Sequence, residues 1–421
     1  MSGVLLQVVA VALAQSGAMN LAQRIPPATG PFAVGRVEVH WIDSSRTEPF
    51  LPAVSARREV LVYVWYPAEA IPAAPLAEYV PHYPRIAGAL GDSAMDAEFG
   101  SSRSAIASGA IRSHSIANAP LKRVGRPFPV LVFSHGFGES SLTYSAQLED
   151  LASHGYVVFG IEHPFDAYAV VLSPNRIERF AAARWDSARA RLGGAVAYQL
   201  AQVPLRAADV RFALDQLSHL RAIPGVAGSA GALDLGRIGA FGHSLGGMAA
   251  ANACRLDARI RACMNQDADD DGRPFDGGPA ALPIKQPFLF FETGHSIYVS
   301  PHTPPPTEGA LTSMKLNRSQ YDSITSLYQR NQDVALASLP GGAIRIMAEA
   351  EDFTHRTFID LKVLQAGDST AVLHQTAYLQ LIRNYTRAFF DEMLLGGRVS
   401  LLYRDGQIDS VVTIGHFRPK G

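Results

Sequence analysis

Apolar and polar positions change rhythm along the chain. Val34 to Ile42 and Glu59 to Tyr66 are rich in Val, Trp and Tyr and predict two early strands. From position 129 onward, short and unbroken apolar runs recur: "PVLVFSHG" (129–136), "YVVFGIEH" (156–163), "GRIGAFGHS" (236–244), "IRACMNQD" (260–267), "PFLFFE" (287–292) and "AIRIMAEA" (343–350). Helical spacing separates them. Leu142, Ser145, Leu148 and Leu151-Ala152 share one face, helical stretches follow over 178–200 and 204–220, and a long helix is predicted over 371–395. In that last helix Tyr378, Ile382, Tyr385, Phe389 and Met393 recur at helical spacing, and it stops at Gly396-Gly397. A strand that is apolar at every position needs cover on both faces. The pattern therefore predicts an α/β fold with a mostly parallel central sheet, helices on both faces, loop insertions near the active site, and the two early strands pairing antiparallel at its edge.

The stretch from 67 to 127 carries many Gly, Ser, Ala and Pro and reads as one long loop, an unusual feature that is often functional. With 421 residues and no internal repeat, we read one large domain over 28–395 and a C-terminal extension over 396–421. Residues 1–22 read as a candidate secretory signal, because an apolar run from Val4 to Ala14 ends in Ala12-Leu13-Ala14, an A-x-A cleavage pattern. The preceding residues carry no Lys or Arg, so an N-terminal helix packed on the domain is the competing reading, and a cytoplasmic protein the alternative to a secreted or periplasmic one. The run is too short to cross a bilayer. A net charge of −1, with no polybasic run, argues against nucleic acid as a partner. The two cysteines, Cys254 and Cys263, form neither a disulfide framework nor a zinc pattern; small buried thiols are the expected reading, with a single bridge between them as the alternative.

The candidate chemistry lies in "FGHSLGGM" (241–248). In a chain with 36 glycines, G-x-S-x-G alone is weak, but its place at the end of an apolar strand and the start of a helical run is that of a nucleophile elbow. Gly242 and Gly246 would relieve crowding around a strained turn that exposes Ser244. A serine nucleophile needs a base and the base an orienting carboxylate, in the chain order Ser, acid, His. His355 follows the strand "AIRIMAEA" by a short loop and is the expected base; His295 is the weaker candidate and His374 reads as a surface or packing residue. For the acid, Asp267 and Glu292 both end apolar strands, and position alone does not separate them. "DADDDG" (267–272) has the D-x-D-x-D-G spacing of a calcium loop, yet the twelfth position is Gly278, so we expect a solvated acidic loop rather than a metal site. Backbone N–H groups of Leu245 and Phe137 are the candidate oxyanion donors, the second from the loop "SHGFGE" (134–139). His135 reads as a structural residue of that turn, and His243 as a neighbour of the nucleophile rather than a base. With Gly136 and His163 they are the further candidates for the pocket wall.

Together, "PVLVFSHGFGESSLTYSAQLEDLASHGYVVFGIEHP", "RIGAFGHSLGG" and "HRTFID" resemble the platelet-activating factor acetylhydrolase family of the plasma, isoform II type and its bacterial relatives, within the α/β-hydrolases. The opening "ATGPFAVGRVEVHWIDSSR…REVLVYVWYPAE" is also similar to those bacterial relatives, so the resemblance spans roughly 28–395. It implies a calcium-independent serine esterase acting on short or oxidised acyl groups of phospholipids, with transient contact with lipid aggregates or a membrane surface. It implies Ser244 as nucleophile, His355 as base and Phe137 as oxyanion donor, and it favours Asp267 over Glu292. The Pro-rich region 294–316 departs from the family pattern. The expectation is a Ser-His-Asp ester hydrolase that passes through an acyl-enzyme and needs no cofactor. Two rivals stand beside it: a general carboxylesterase, lipase or polyester hydrolase without phospholipid preference, and a non-catalytic hydrolase-fold binding protein.

Overall fold

The computed structural model describes residues 20–51, 56–173, 176–180, 186, 195–220, 222–226, 228–268, 283–293, 308–313, 317–320, 323, 333–403, 406–407 and 411–418. The segment 1–19, His295, and the acidic loop from Asp269 onward lie outside them, as does most of 294–316.

The apolar runs form a twelve-stranded sheet. In chain order its strands are β1 (Ala33–Thr47), β2 (Arg57–Ala68), β3 (Leu76–Glu78), β4 (Arg112–Ala117), β5 (Phe128–Ser134) and β6 (Val157–Glu162). After a separate hairpin, β7 (Ala169–Ser173) and β8 (Arg176–Arg179), come β9 (Leu233–His243), β10 (Ile260–Gln266), β11 (Phe288–Thr293), β12 (Ala343–Ala348), β13 (Gly406–Gln407) and β14 (Val412–Phe417). The spatial order is β13-β14-β12-β11-β10-β9-β5-β6-β2-β1-β4-β3. Strands β6, β5, β9, β10, β11 and β12 run parallel, and every residue of β5, β6 and β11 is buried. That burial is why these runs lack the polar alternation of a half-exposed strand.

Helices cover both faces. One layer of the core holds α4 (Ser145–Ser153) and the long α7 (Ser369–Phe390), with Leu148, Leu151, Ile382 and Phe389 against Leu131, Phe241 and Phe291. The other holds α5 (Ala195–Leu220) and α6 (Leu245–Leu256), with Val210, Leu214, Leu217, Ala250 and Ala253 against Val130, Ile238 and Phe290.

The structure departs from the sequence expectations in several places. The early strands do pair antiparallel, β1 on β2, but β4 and β3 extend the sheet beyond them. The stretch 67–127 is not one long loop: it holds β3, β4 and three short helices, α1 (Tyr83–Leu90), α2 (Asp92–Phe99) and α3 (Arg103–Ala107). Its alanines favour helix, and Gly91 and Gly100, at φ of 82° and 49°, break it into helices of eight residues or fewer, too short for a long periodicity to register. Of the expected helices over 178–200 and 204–220, Glu178 and Arg179 end β8, 181–185 and 187–194 lie outside the described residues, and Ala195–Leu220 is one helix that runs through Pro204. At the C-terminal end, β14 lies antiparallel on β12, so residues past 396 complete the sheet.

Cys254 and Cys263 are bridged, which corrects the expectation of free thiols. Both are buried, one in the last turn of α6 and the other in β10, so the bridge ties the helix after Ser244 to the strand that ends at Asp267. Their separation of nine residues lets them meet because a helix and the strand after it pack antiparallel in space. A closed loop of this length restricts the unfolded chain by about 2–3 kcal/mol. Reduction should therefore lower the thermal midpoint of the wild-type chain and leave that of Cys254→Ala/Cys263→Ala unchanged. Equal melting of the wild type with and without reductant would show that the bridge contributes nothing.

Candidate active site

Strand β9 ends at His243 and α6 begins at Leu245, leaving Ser244 alone at the turn with φ 53° and ψ −130°. A non-glycine residue in that region is strained, and the strain is held by the surroundings. Ser244 N–H donates to Gln266 O at 2.8 Å, and Ser244 O accepts from Gly247 N–H at 2.8 Å. The glycines are required by contact. A Cβ on Gly246 would lie 2.0 Å from Ser134 O, and one on Gly242 would lie 2.4 Å from the Gly246 carbonyl. The loop after β5 thus presses directly on the first turn of α6.

At the end of β10, Asp267 is buried and also has a positive φ, 54°. Its Oδ1 accepts from Thr293 N–H at 2.8 Å, and its Oδ2 lies 2.6 Å from His355 Nδ1. A carboxylate oxygen only accepts, so in this contact His355 donates from Nδ1 and its Nε2 takes no part. His355 opens a 3-10 turn, His355–Phe358, capped by Thr354 and anchored by the buried Phe358. The structure brings Asp267, not Glu292, to His355: Glu292 sits 3.6 Å from the Arg345 guanidinium. His374 bonds Asp352 on the surface.

His243 lies between the two halves of the site. Its ring is 4.5 Å from that of His355, stacks on Phe358, and has Nδ1 2.8 Å from Tyr144 Oη. Burial and the neighbouring His355 hold its imidazole well below the usual histidine range, so it is neutral. Ligand atoms of His243, Asp267 and His355 fall within 4.8 Å of one another, dense enough for a cation. Asp267 is already paired with His355 and His243 Nδ1 with Tyr144, while His243 Nε2 is buried without a hydrogen-bond partner among the described residues.

The loop 135–139 starts against the first turn of α6, where a Cβ on Gly246 would lie 2.5 Å from His135 O. Leu245 is the first residue of α6, where a backbone N–H has no intrahelical acceptor. Phe137 packs edge-on against Phe180 and joins Val203, Leu245, Met248 and Ala268 in a small apolar cluster beside the elbow. His135, read as a structural residue of this turn, is fully buried in it with both ring nitrogens on backbone groups, and His163, a candidate for the pocket wall, is fully buried beneath the loop. His163 Nδ1 lies 2.9 Å from Asp209 and Nε2 2.8 Å from Ser134 Oγ. Asp209 is also held by Arg58 and Arg46 and lies well below the usual carboxylate range: the Arg58 charge overcomes burial. Sequence reading missed Asp209, Arg206, Tyr144 and Thr293, because each reaches the site from a remote helix or strand and carries no motif.

The site is built on a nucleophile turn, a buried carboxylate–imidazole pair and a glycine-shaped loop, at the carboxyl ends of parallel strands. A family model for platelet-activating factor acetylhydrolase, isoform II, matches residues 17–222. The chain has an α/β-hydrolase fold, and its first half is similar to the platelet-activating factor acetylhydrolases, isoform II. A probable 1-alkyl-2-acetylglycerophosphocholine esterase of Arthroderma benhamiae is 24% identical over 295 residues, 65% of this chain and 62% of that protein. A dog platelet-activating factor acetylhydrolase is 47% identical over 55 residues, 13% of this chain and 12% of its own. The chain thus spans at most 62% of these two curated relatives. A solved ferulic acid esterase from Streptomyces cinnamoneus matches more widely, at TM-score 0.67 and 27% identity over 93% of this chain and 99% of its own.

Burial and the Arg206 cation push the His163 imidazole down to about 4. An unfolded histidine titrates near 6.5, so between about 6.5 and 4 the unfolded chain binds a proton that the folded chain refuses. His163 therefore makes stability fall on acidification through that window, by up to ~1.4 kcal/mol per pH unit. Urea unfolding of His163→Gln should show a shallower loss over the same range. Parallel profiles for variant and wild type would mean that His163 folds protonated.

Proposed function

We propose that this chain is a serine ester hydrolase that removes short acyl groups from lipid or phospholipid esters. The observation that carries the reading is the 2.6 Å contact of His355 Nδ1 with buried Asp267, beside the strained turn of Ser244. In this reading His355 Nε2 takes the Ser244 proton as the hydroxyl oxygen attacks the ester carbonyl. Asp267 holds the ring in that tautomer and stabilises the imidazolium. The N–H groups of Leu245 and Phe137 bind the tetrahedral oxyanion, and the alcohol leaves with the proton returned by His355. Water, activated by the same imidazole, then hydrolyses the acyl-enzyme and frees Ser244.

The lipid preference rests on the family match and on what the curated relatives are named for. A general carboxylesterase acting on aromatic or polymeric esters is the second reading, favoured by the near full-length likeness to a ferulic acid esterase. Export to the periplasm or the medium is part of the proposal, supported by the Cys254–Cys263 bridge, which persists in oxidising compartments, and by the apolar N-terminal run. No helix among the described residues is long and apolar enough to cross a membrane. Contact with lipid aggregates would be transient, at the mouth of the site. The region 28–395 is proposed as the catalytic domain, 1–22 as a cleaved signal, and 396–421 as an extension that contributes β13 and β14.

Rates on p-nitrophenyl esters from acetate to palmitate, beside a 2-acetyl phospholipid, test the substrate. The proposal predicts preference for acetate and rapid cleavage of the phospholipid, with Ser244→Ala inactive. A flat or long-chain profile with the phospholipid untouched would favour the second reading. Asp267→Asn should lower kcat by about 10⁴-fold, while Glu292→Gln changes it little. The reverse order would move the acid to β11.

A further inference from the structure

The loop that carries Phe137 is fixed from below. Arg206, on α5, is 1% exposed. Its Nε donates to Asp166, its Nη1 to His135 O, and its Nη2 lies 3.5 Å from Gly136 O. Asp166 closes the circuit, since its own carbonyl accepts from Gly138 N–H at 3.0 Å. The Gly136 carbonyl is held on its other sides by His135 Nδ1 at 2.7 Å and by Glu139 N–H at 3.2 Å. His135 can donate there because its Nε2 accepts from His163 N–H at 3.2 Å, which places the imidazole proton on Nδ1. Burial, with the nearby Arg206 charge, keeps that ring neutral.

A trans peptide points its C=O and its N–H in opposite directions. Every peptide bond of the described chain is trans. The Gly136 carbonyl and the Phe137 N–H belong to one such unit. Whatever fixes the carbonyl downward therefore fixes the N–H outward.

We propose that Arg206 and His135 are positioning residues of the oxyanion hole, clamping the Gly136 carbonyl and so aiming the Phe137 N–H at the developing oxyanion. Neither touches substrate. The inference rests on the esterase reading and deepens it. It also accounts for the charge beneath the loop. Asp166 matches Arg206 directly, and Asp209 is matched by Arg58 and Arg46, so Arg206 keeps two N–H donors for carbonyl oxygens. The fork geometry of a guanidinium suits that task, and a lysine ammonium does not reproduce it.

The test compares hydrolysis of p-nitrophenyl acetate with that of its thiono analogue, in which C=S replaces C=O. Backbone N–H donors stabilise an oxyanion well and a thiolate-like sulfur poorly, so a loss confined to the oxo ester reports the hole itself. Arg206→Lys and His135→Phe are expected to lower kcat on the oxo ester by roughly 10- to 100-fold. KM and the thiono rate should move by less than about threefold in the same variants, because neither depends on the donor. His135→Asn, whose amide nitrogen can replace Nδ1 as donor, should recover most of the oxo rate. If both esters slow together, or Asn is no better than Phe, the two residues only hold the fold and the proposal is overturned. Should Arg206→Lys fail to fold, the Asn and Phe pair at His135 decides alone. Wild-type protein without Ser244-dependent turnover of either ester would instead overturn the esterase reading beneath it.

Discussion

Three backbones meet at one point, and the rest of the site depends on that crossing. The end of β5 approaches the first turn of α6 so closely that a single Cβ on Gly246 would lie 2.0 Å from Ser134 O. Only glycine permits this distance. Because the two segments touch, the loop after β5 and the first turn of α6 lie side by side, and the proposed oxyanion donors belong to these two segments. Because the turn between β9 and α6 is correspondingly tight, Ser244 is forced to a positive φ and its side chain stands clear of the helix. The strain is supported by packing on both sides of the sheet and by the bridge from α6 to β10.

Around this crossing, two buried polar systems do different work. Above it, Asp267 has its oxygens divided between Thr293 and His355, which occupies one imidazole nitrogen and leaves the other outside that pair. Below it, Ser134, His163 and Asp209 repeat the same residue types at hydrogen-bond distance. That lower chain is fully buried, and its carboxylate is already matched by two arginines. The same side-chain types thus occur in the proposed reactive set, where a turn leaves the serine partly exposed, and in a fully buried chain beneath the loop. Their position on the sheet, not their identity, sets the difference.

Local signals made much of this legible. Continuous apolar runs such as "PVLVFSHG" and "PFLFFE" named the buried strands because a parallel sheet covered on both faces leaves no exposed position to break the run. The elbow was readable because its glycines, serine and flanking strand and helix lie within about a dozen residues. Asp267 and Glu292 were not separable by such signals, since each ends an apolar strand and only the third dimension shows which one faces His355. Contacts of long sequence separation were invisible for the same reason: Asp209 lies 46 residues beyond His163, and Arg206 reaches His135 across 71. The disulfide was misjudged because nine residues of helix and strand hide how close their buried ends come. In the stretch 67–127, Gly and Ser content masked three short helices.

The chain is similar in fold to a ferulic acid esterase and, over residues 17–222, to the acetylhydrolases; in the proposed reading the crossing carries the reaction and the loops choose the substrate. The claim at the centre of this account is that Ser244 is the one activated nucleophile. The most direct measurement is covalent: incubation with diethyl p-nitrophenyl phosphate, followed by peptide mapping by mass spectrometry. The account predicts one phosphoryl group per chain, on Ser244, formed far more slowly in His355→Ala. Absence of an adduct, or an adduct on another serine with Ser244 unmodified, would contradict it.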